Sequence, residues 1–471
     1  MNRRKFFRNG SLFTIGAAVL NPFEGTAQVL DLNNLDKNKK AKNIIFMVSD
    51  GMSTGTLNMA DLYLSRKTGK GSNWLQLYKD QRISRALMDT ASASSIVTDS
   101  AAASSSWGGG ARVNNGSLNV GPNGERNMPI WQKFKKAGKM AGCVTTVPIT
   151  HATPAGFCVN SDSRNAQPEI AEEYLKQGFD VMMGGGNNYF SADKRKDKKD
   201  VYADYKAKGW QVARTRSEMM AASNDKPILG VFADDGLPYT IDRRSSKELT
   251  DTTPTLAEMA QKAIDRMKGH KNGFVLQIEA GKVDWGAHAN DIAAVLYDQT
   301  AFDEAIKTVI DFAEKDGNTL VVITTDHGNA NPGIIYGQEA NSNFDSIQKY
   351  TQTNEWILNT IHEDSTTAQV QEIIAHANGR TISQDEAKTI LSYYSGLEKE
   401  GGLYNYKHLP FKAFAEMQKE NNSVGWISMN HSADYVELAM FGPGSQLLKP
   451  FVKNTDLHYL MLEAAEVENK F

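Results

Sequence analysis

Acids, imidazoles and a serine recur at the ends of apolar runs in this chain. Asp50 follows the run Asn43 to Ser49, in Val48-Ser49-Asp50-Gly51. Glu279 follows Phe274 to Ile278, and Asp284 and His288 come five and nine residues later, in Glu279-Ala-Gly-Lys-Val-Asp284-Trp-Gly-Ala-His288. Asp326 and His327 follow Leu320 to Thr325. Imidazole with carboxylate suits zinc, and carboxylate with hydroxyl suits magnesium. A single strand-end aspartate is most often a helix cap or a turn former. Three such clusters in one chain point instead to a shared divalent-metal site. A fourth element, Val97-Thr98-Asp99-Ser100-Ala101-Ala102-Ala103-Ser104, reads as a helix start. Its small residues admit close approach, and its free amides and positive dipole end favour an anion. Taken alone, Ser100 would be a capping serine in a small-residue loop.

These groups need elements to bring them together. Short apolar runs at Asn43–Ser49, Gly142–Val147, Val181–Met183, Ile228–Phe232, Phe274–Ile278 and Leu320–Thr325 read as buried parallel strands. Helical patterns separate many of them. Leu256, Met259, Ala260, Ala263, Ile264 and Met267 fall at helical spacing behind Thr253-Pro254, taken as cap and first-turn proline. Ile292 to Ile310 marks a longer helix ended by Gly317. The expected fold is α/β: a three-layer sandwich with a central, mostly parallel sheet and helices on both faces. Ligands in such folds sit beyond the carboxyl ends of the strands. Residues 330–430 are polar and mostly helical in character, clearest from Gln369 to Tyr394. They read as an insertion over the catalytic face, within a catalytic domain formed by 28–329 and 431–471. The run Asp193 to Asp200 reads as a solvated loop, and Gly184-Gly185-Gly186 as a tight turn.

Composition narrows the class. The 471 residues carry 52 Lys+Arg against 55 Asp+Glu, with 40% hydrophobic and 9% aromatic residues. These are globular values, and the near-neutral charge offers no footprint for nucleic acid as a specific partner. Two cysteines, Cys143 and Cys158, exclude a disulfide framework and any cysteine-rich metal site. A disulfide between them and two buried thiols are both open readings. Beyond the first thirty residues no run is long and apolar enough for a membrane span. The N-terminus reads as an exported leader over residues 1–27: Arg3-Arg4-Lys5 and Arg8, an apolar run from Gly10 to Leu20, then Gly25-Thr26-Ala27. The paired arginines make it twin-arginine-like, which implies a periplasmic or secreted protein that is exported folded. Cutting after Ala27 leaves a net charge of −6.

The chain resembles the alkaline phosphatase family from about Lys42 to Pro443. The Asp-Ser-Ala motif at Ser100, Glu279-x4-Asp284-x3-His288, Asp326-His327-Gly328 and Asn430-His431-Ser432-Ala433 stand in family order. The resemblance implies two Zn2+ and one Mg2+ per chain. One zinc would be held by Asp284, His288 and His431, and the other by Asp326, His327 and Asp50, with Ser100 when deprotonated. Magnesium would be held by Glu279, Thr153 and the other oxygen of Asp50. Arg164, eleven residues after Thr153, matches the phosphate-gripping arginine, whose planar fork can hold two phosphoryl oxygens. The implied reaction is hydrolysis of small-molecule phosphate monoesters through a phosphoserine on Ser100. A homodimer is common in the family, and nothing in this chain demands one.

Two positions vary within the family pattern. His151 stands where some members have Asp, and Trp285 where some have Lys, which bears on magnesium and phosphate affinity. The remaining histidines, His270, His362, His376, His408 and His458, read as surface or packing residues. Rival readings are weaker. A sulfatase would want a Cys- or Ser-x-Pro-x-Arg site, Arg164 would crowd the second substituent of a phosphodiester, and an export leader is out of place on a glycolytic mutase. A non-catalytic metal- or phosphate-binding envelope protein has no use for Ser100.

Overall fold

The computed structural model describes residues 40–400 and 402–470. The expected leader, with its cleavage signal, lies outside the described residues. Ten strands form the central sheet: β1 (Asn43–Ser49), β2 (Ser84–Asp89), β3 (Met140–Pro148), β4 (Val181–Gly185), β5 (Gln211–Ala213), β6 (Ile228–Val231), β7 (Phe274–Ala280), β8 (Thr319–Thr324), β9 (Val436–Phe441) and β10 (Phe451–Lys453). Their spatial order is β10-β2-β9-β8-β1-β7-β3-β4-β6-β5. All pairs are parallel except β9, which runs antiparallel to both β2 and β8. The sheet is therefore mostly parallel, with helices around it, as the alternating runs predict.

Both faces of β1 are buried. Ile44, Phe46 and Val48 join one apolar layer and Ile45 and Met47 the other, the strand period of two. The register sets the level of the chemistry. Val48 lies opposite Glu279 of β7 and opposite Thr324 of β8, and Thr145 of β3 also lies opposite Glu279. Asp50 and Asp326, each two residues further on, leave the sheet at the same height.

Five helices matter most for the site: α1 (Ser100–Gly109), α2 (Ala152–Cys158), α3 (Leu256–Met267), α4 (Lys282–His288) and α5 (Ile292–Asp316). Asp99 caps α1, its Oδ1 accepting from Ala102 N at 2.9 Å. α1 and α2 touch backbone to backbone: a Cβ on Gly108 would stand 1.9 Å from the Gly156 carbonyl oxygen. Gly317 ends α5 in the left-handed region, as expected. The α3 start differs from expectation. Thr255, not Thr253, is the cap, because Thr255 and Glu258 form a reciprocal capping box that leaves Pro254 outside the helix.

Strands β2, β5, β9 and β10 escaped the sequence reading. In β9 the apolar run is broken by Glu437, whose carboxylate is taken up by Arg85 of β2 at 2.8 Å and by Tyr78 Oη at 3.2 Å. The described residues between 340 and 422 form five α-helices. The stretch Gln369–Tyr394 is two of them, Thr367–Asn378 and Gln384–Leu391, because Gly379 stops the first in the left-handed region and Ser383 caps the second. Ile357, Ile374, Tyr394 and Phe414 give this region its own apolar cluster. Cys143 and Cys158 are free and buried. No helix among the described residues is long and apolar enough to cross a membrane.

Candidate metal centre and nucleophile

The side chains singled out from sequence converge beyond the carboxyl ends of β8, β1, β7 and β3. Asp50, Glu279 and Asp326 are fully buried, and Asp284 is 5% exposed. Gly51 makes the turn after β1 at φ 67°, and a Cβ there would stand 2.5 Å from Asp284 Oδ1. Only glycine suits both the conformation and the space. Gly51 N and His327 N both donate to Asp326 Oδ1, at 2.9 and 3.0 Å. This leaves Asp326 Oδ2 buried, 3.0 Å from His327 Nε2 but without a hydrogen bond.

Three imidazoles are aimed by backbone carbonyls. His288 Nδ1 lies 2.7 Å from Met429 O, His431 Nδ1 2.9 Å from Thr98 O, and His327 Nδ1 3.3 Å from Gly328 O. A proton on each Nδ1 turns the Nε2 lone pair inward, the usual arrangement for a metal-ligating histidine. His288 Nε2 and His431 Nε2 then face each other at 3.1 Å, and lie 3.4 and 3.5 Å from the two oxygens of Asp284. Two lone pairs at that separation repel unless a cation sits between them.

Ligand atoms lie within 4.8 Å of one another in three groups: Asp284, His327 and His431; Asp50, Asp326 and His327; and Asp50, His151 and Glu279. His327 stands between two groups, where the expected sets gave it to one. His288 joins the first group through His431 and Asp284. Thr153 reaches the third, its Oγ1 donating to Asp50 Oδ2 at 3.1 Å. The five histidines read as surface or packing residues enter none of the groups found among the described residues.

Electrostatics agree with a cation centre. Burial, then the neighbouring Asp326, Asp284 and Glu279 carboxylates, hold Asp50 well above the usual carboxylate range. Burial pushes Glu279 up to about 8. Burial would also raise Asp284, but the His288 and His431 imidazoles outweigh it and hold that acid low. His431, which burial would lower, is raised to about 9 by Asp284. Four buried acids at one place are costly unless paired with positive charge. Glu279 Oε1, Asp326 Oδ2 and His151 Nδ1 are buried with no hydrogen-bond partner. These orphaned atoms and the hard oxygen and imidazole donor set fit divalent ions.

Ser100 opens α1 with its Oγ 3.3 Å from His327 Nε2 and 3.5 Å from Asp50 Oδ1. Arg164, whose side chain is 23% exposed, reaches the same edge. Its Nη1 donates to Asp99 Oδ2 at 3.0 Å, and its Nη2 lies 3.1 Å from His151 Nε2.

A family model described as alkaline phosphatase matches residues 41–467. The chain belongs to the alkaline phosphatase family. Alkaline phosphatase 4 of Bacillus subtilis is 30% identical over 424 residues, covering 88% of this chain and 87% of that protein. The crystal structure of the Thermus thermophilus alkaline phosphatase superposes with a TM-score of 0.84 at 32% identity, covering 96% of both chains. The cold-active alkaline phosphatase from a Shewanella species gives a TM-score of 0.76 at 25% identity, over 90% of this chain and 99% of that one. This alkaline phosphatase is thus a metal-dependent hydrolase of phosphate monoesters.

Sequence reasoning missed several groups at the phosphatase site. Asp99 was visible only as the residue before Ser100, and its grip on Arg164 crosses 65 positions. Asn329 follows Asp326-His327-Gly328 and donates from Nδ2 to Asp284 Oδ1 at 2.7 Å. Thr145 donates to Glu279 Oε2, and its place opposite Glu279 in the β3–β7 register is a signal only the sheet reveals.

Proposed function

We propose that this phosphatase cleaves phosphate monoesters through a phosphoserine on Ser100, with two Zn2+ and one Mg2+ per chain. Asp284, His288 and His431 would hold one zinc, Asp326, His327 and Asp50 the other, and Glu279, Thr153 and Asp50 the magnesium. Once bound, the ions supply Lewis acidity that makes a hydroxyl nucleophilic at neutral pH and offsets charge on the entering and leaving oxygens. The Ser100 Oγ attacks phosphorus in line as the bond from phosphorus to the alcohol oxygen breaks. The serine proton passes to solvent, and the departing alcohol takes one up. Arg164 and the free amides at the start of α1 grip the non-reacting phosphoryl oxygens, as electrostatic catalysis of phosphoryl transfer requires. Water then attacks the phosphoserine phosphorus, the bond to Ser100 Oγ breaks, inorganic phosphate leaves, and a proton restores the Ser100 hydroxyl.

One observation carries this reading: the Ser100 hydroxyl stands within 3.5 Å of both His327 and Asp50. A serine used only as a cap would face its own helix. Hydrolysis of a chromogenic phosphate monoester at alkaline pH, before and after chelation and zinc repletion, tests it. Loss on chelation and recovery with zinc are expected, and activity that survives exhaustive chelation would overturn it. Residues 330–430 are, in the same proposal, the insertion covering the catalytic face. The leader over residues 1–27 sends the folded chain to the periplasm or beyond, which fractionation and the mature N-terminal sequence would check.

A further inference from the structure

A cavity of about 450 Å3 lies beside the metal centre, between α4 and the helical region that follows β8. His288 is shared by the cavity wall and the candidate metal site. The cavity therefore adjoins the proposed zinc set that excludes Ser100, and an in-line attack by Ser100 Oγ, which stands by the other set, sends the alcohol toward this side. Tyr239, Trp285, Tyr404, Tyr406 and Phe411 give its walls aromatic faces. Tyr406 is 40% exposed and rests on Phe411, ring centroids 4.8 Å apart.

Two charged groups on the walls lack ordinary partners among the described residues. Lys282 is 5% exposed, and its ammonium sits 3.6 Å over the Tyr239 ring and 4.7 Å over the Trp285 ring with no carboxylate in ion-pair contact. The Glu355 carboxylate makes neither a hydrogen bond nor an ion pair among the described residues; its hydrogen bonds are made by its backbone, the amide donating to Asp291 Oδ2 and the carbonyl accepting from Asn359 Nδ2. A purely apolar occupant would strip water from both groups and leave them unsatisfied, at a cost. An occupant bearing further phosphates would meet Glu355 and Asp235, which line the same space. The complementary ligand is a flat ring system with both hydrogen-bond donors and acceptors and no charge of its own.

We propose that this cavity is the subsite for the alcohol half of the substrate, and that it selects nucleoside monophosphates. The base packs on Tyr406, its donors meet Glu355 and its acceptors meet Lys282. This rests on the phosphomonoesterase reading, and the test separates the two.

The metal-loaded enzyme is assayed for kcat/KM on adenosine 5′-monophosphate, glucose 6-phosphate and glycerol 2-phosphate. Binding of free adenosine is measured separately by calorimetry and by competition. The expected result is a preference for the nucleotide over glycerol 2-phosphate of about tenfold or more, as one stacked base provides. Tyr406→Ala and Glu355→Gln should each shrink that ratio severalfold and weaken adenosine binding in step. Tyr406 is part-exposed and Glu355→Gln is isosteric, so at least one variant should fold. Equal ratios in wild type and both variants, or a preference for the sugar phosphate, would overturn the proposal. Adenosine binding with no hydrolysis of any ester would sink the phosphoserine reading while leaving the subsite standing. Hydrolysis of all three esters with no adenosine binding would do the reverse.

Discussion

His288 and His431 stand Nε2 to Nε2 at 3.1 Å, although 143 positions separate them. Their Nδ1 atoms are occupied by Met429 O and Thr98 O, so both lone pairs point at one spot. Without a bound cation, a proton on His431 takes that place.

The pH dependence of the metal-free protein follows. Glu279 is pushed up to about 8 by burial, and His431 is raised to about 9 by Asp284 against the opposing effect of burial. The folded metal-free chain therefore keeps protons that the unfolded chain releases near the ordinary values of 4.5 and 6.5. Stability falls with pH wherever the folded state binds more protons. The melting temperature of the metal-free enzyme should drop as pH rises through about 6 to 9, and the metal-loaded enzyme should not follow it. Parallel curves from scanning calorimetry would contradict this.

Ser100→Ala should lower kcat on the order of a thousandfold or more. The metal content should hold, because Asp50, Asp326 and His327 remain. Acid quenching should trap phosphorylated protein from wild type and none from the variant.

Asp99 serves two ends, capping α1 through Oδ1 and holding Arg164 through Oδ2. Asparagine keeps an acceptor for the cap but gives up the ion pair. Asp99→Asn should free Arg164 for phosphate and lower the inhibition constant for inorganic phosphate by about fivefold, the worth of one part-buried ion pair. Steady-state inhibition measures it, and a raised constant would refute the competition argument.

His151 is held neutral by burial and by Arg164, its pKa pushed down to about 3. It shares a ligand-sized group with Asp50 and Glu279. A carboxylate in its place adds an oxygen donor of the kind magnesium prefers. His151→Asp with Trp285→Lys should tighten magnesium activation by about tenfold and strengthen phosphate inhibition. Unchanged phosphate inhibition in the double variant would count against it.

The contact of α1 with α2 leaves no room for a side chain. A Cβ on Gly156 would stand 2.0 Å from Ser104 Oγ, and one on Gly108 1.9 Å from Gly156 O. Gly108→Ala should destabilise by about 1–3 kcal/mol. It should also lower kcat, since α1 carries Ser100 and α2 carries Thr153. Thermal melts and kinetics on the same preparation check both.

Much of this molecule is determined locally. The central strands announce themselves because a strand buried on both faces must be apolar throughout. Asp50, Glu279 and Asp326-His327 are legible because each directly follows or closes such a strand, and parallel strands bring their carboxyl ends to one edge. The outer strands are not legible in this way. β2 is exposed at alternate residues, and β9 carries Glu437, whose tolerance depends on Arg85 across an antiparallel pairing that no local pattern encodes. Tertiary structure also decided how the ligands are shared: His327 stands between two groups, His151 joins the third, and Asp99 reaches Arg164. Those relations are distances of a few ångströms between positions far apart in the chain. They depend on strand register, helix packing and the aim given to each imidazole by a carbonyl elsewhere in the fold, and residue type and spacing contain none of these.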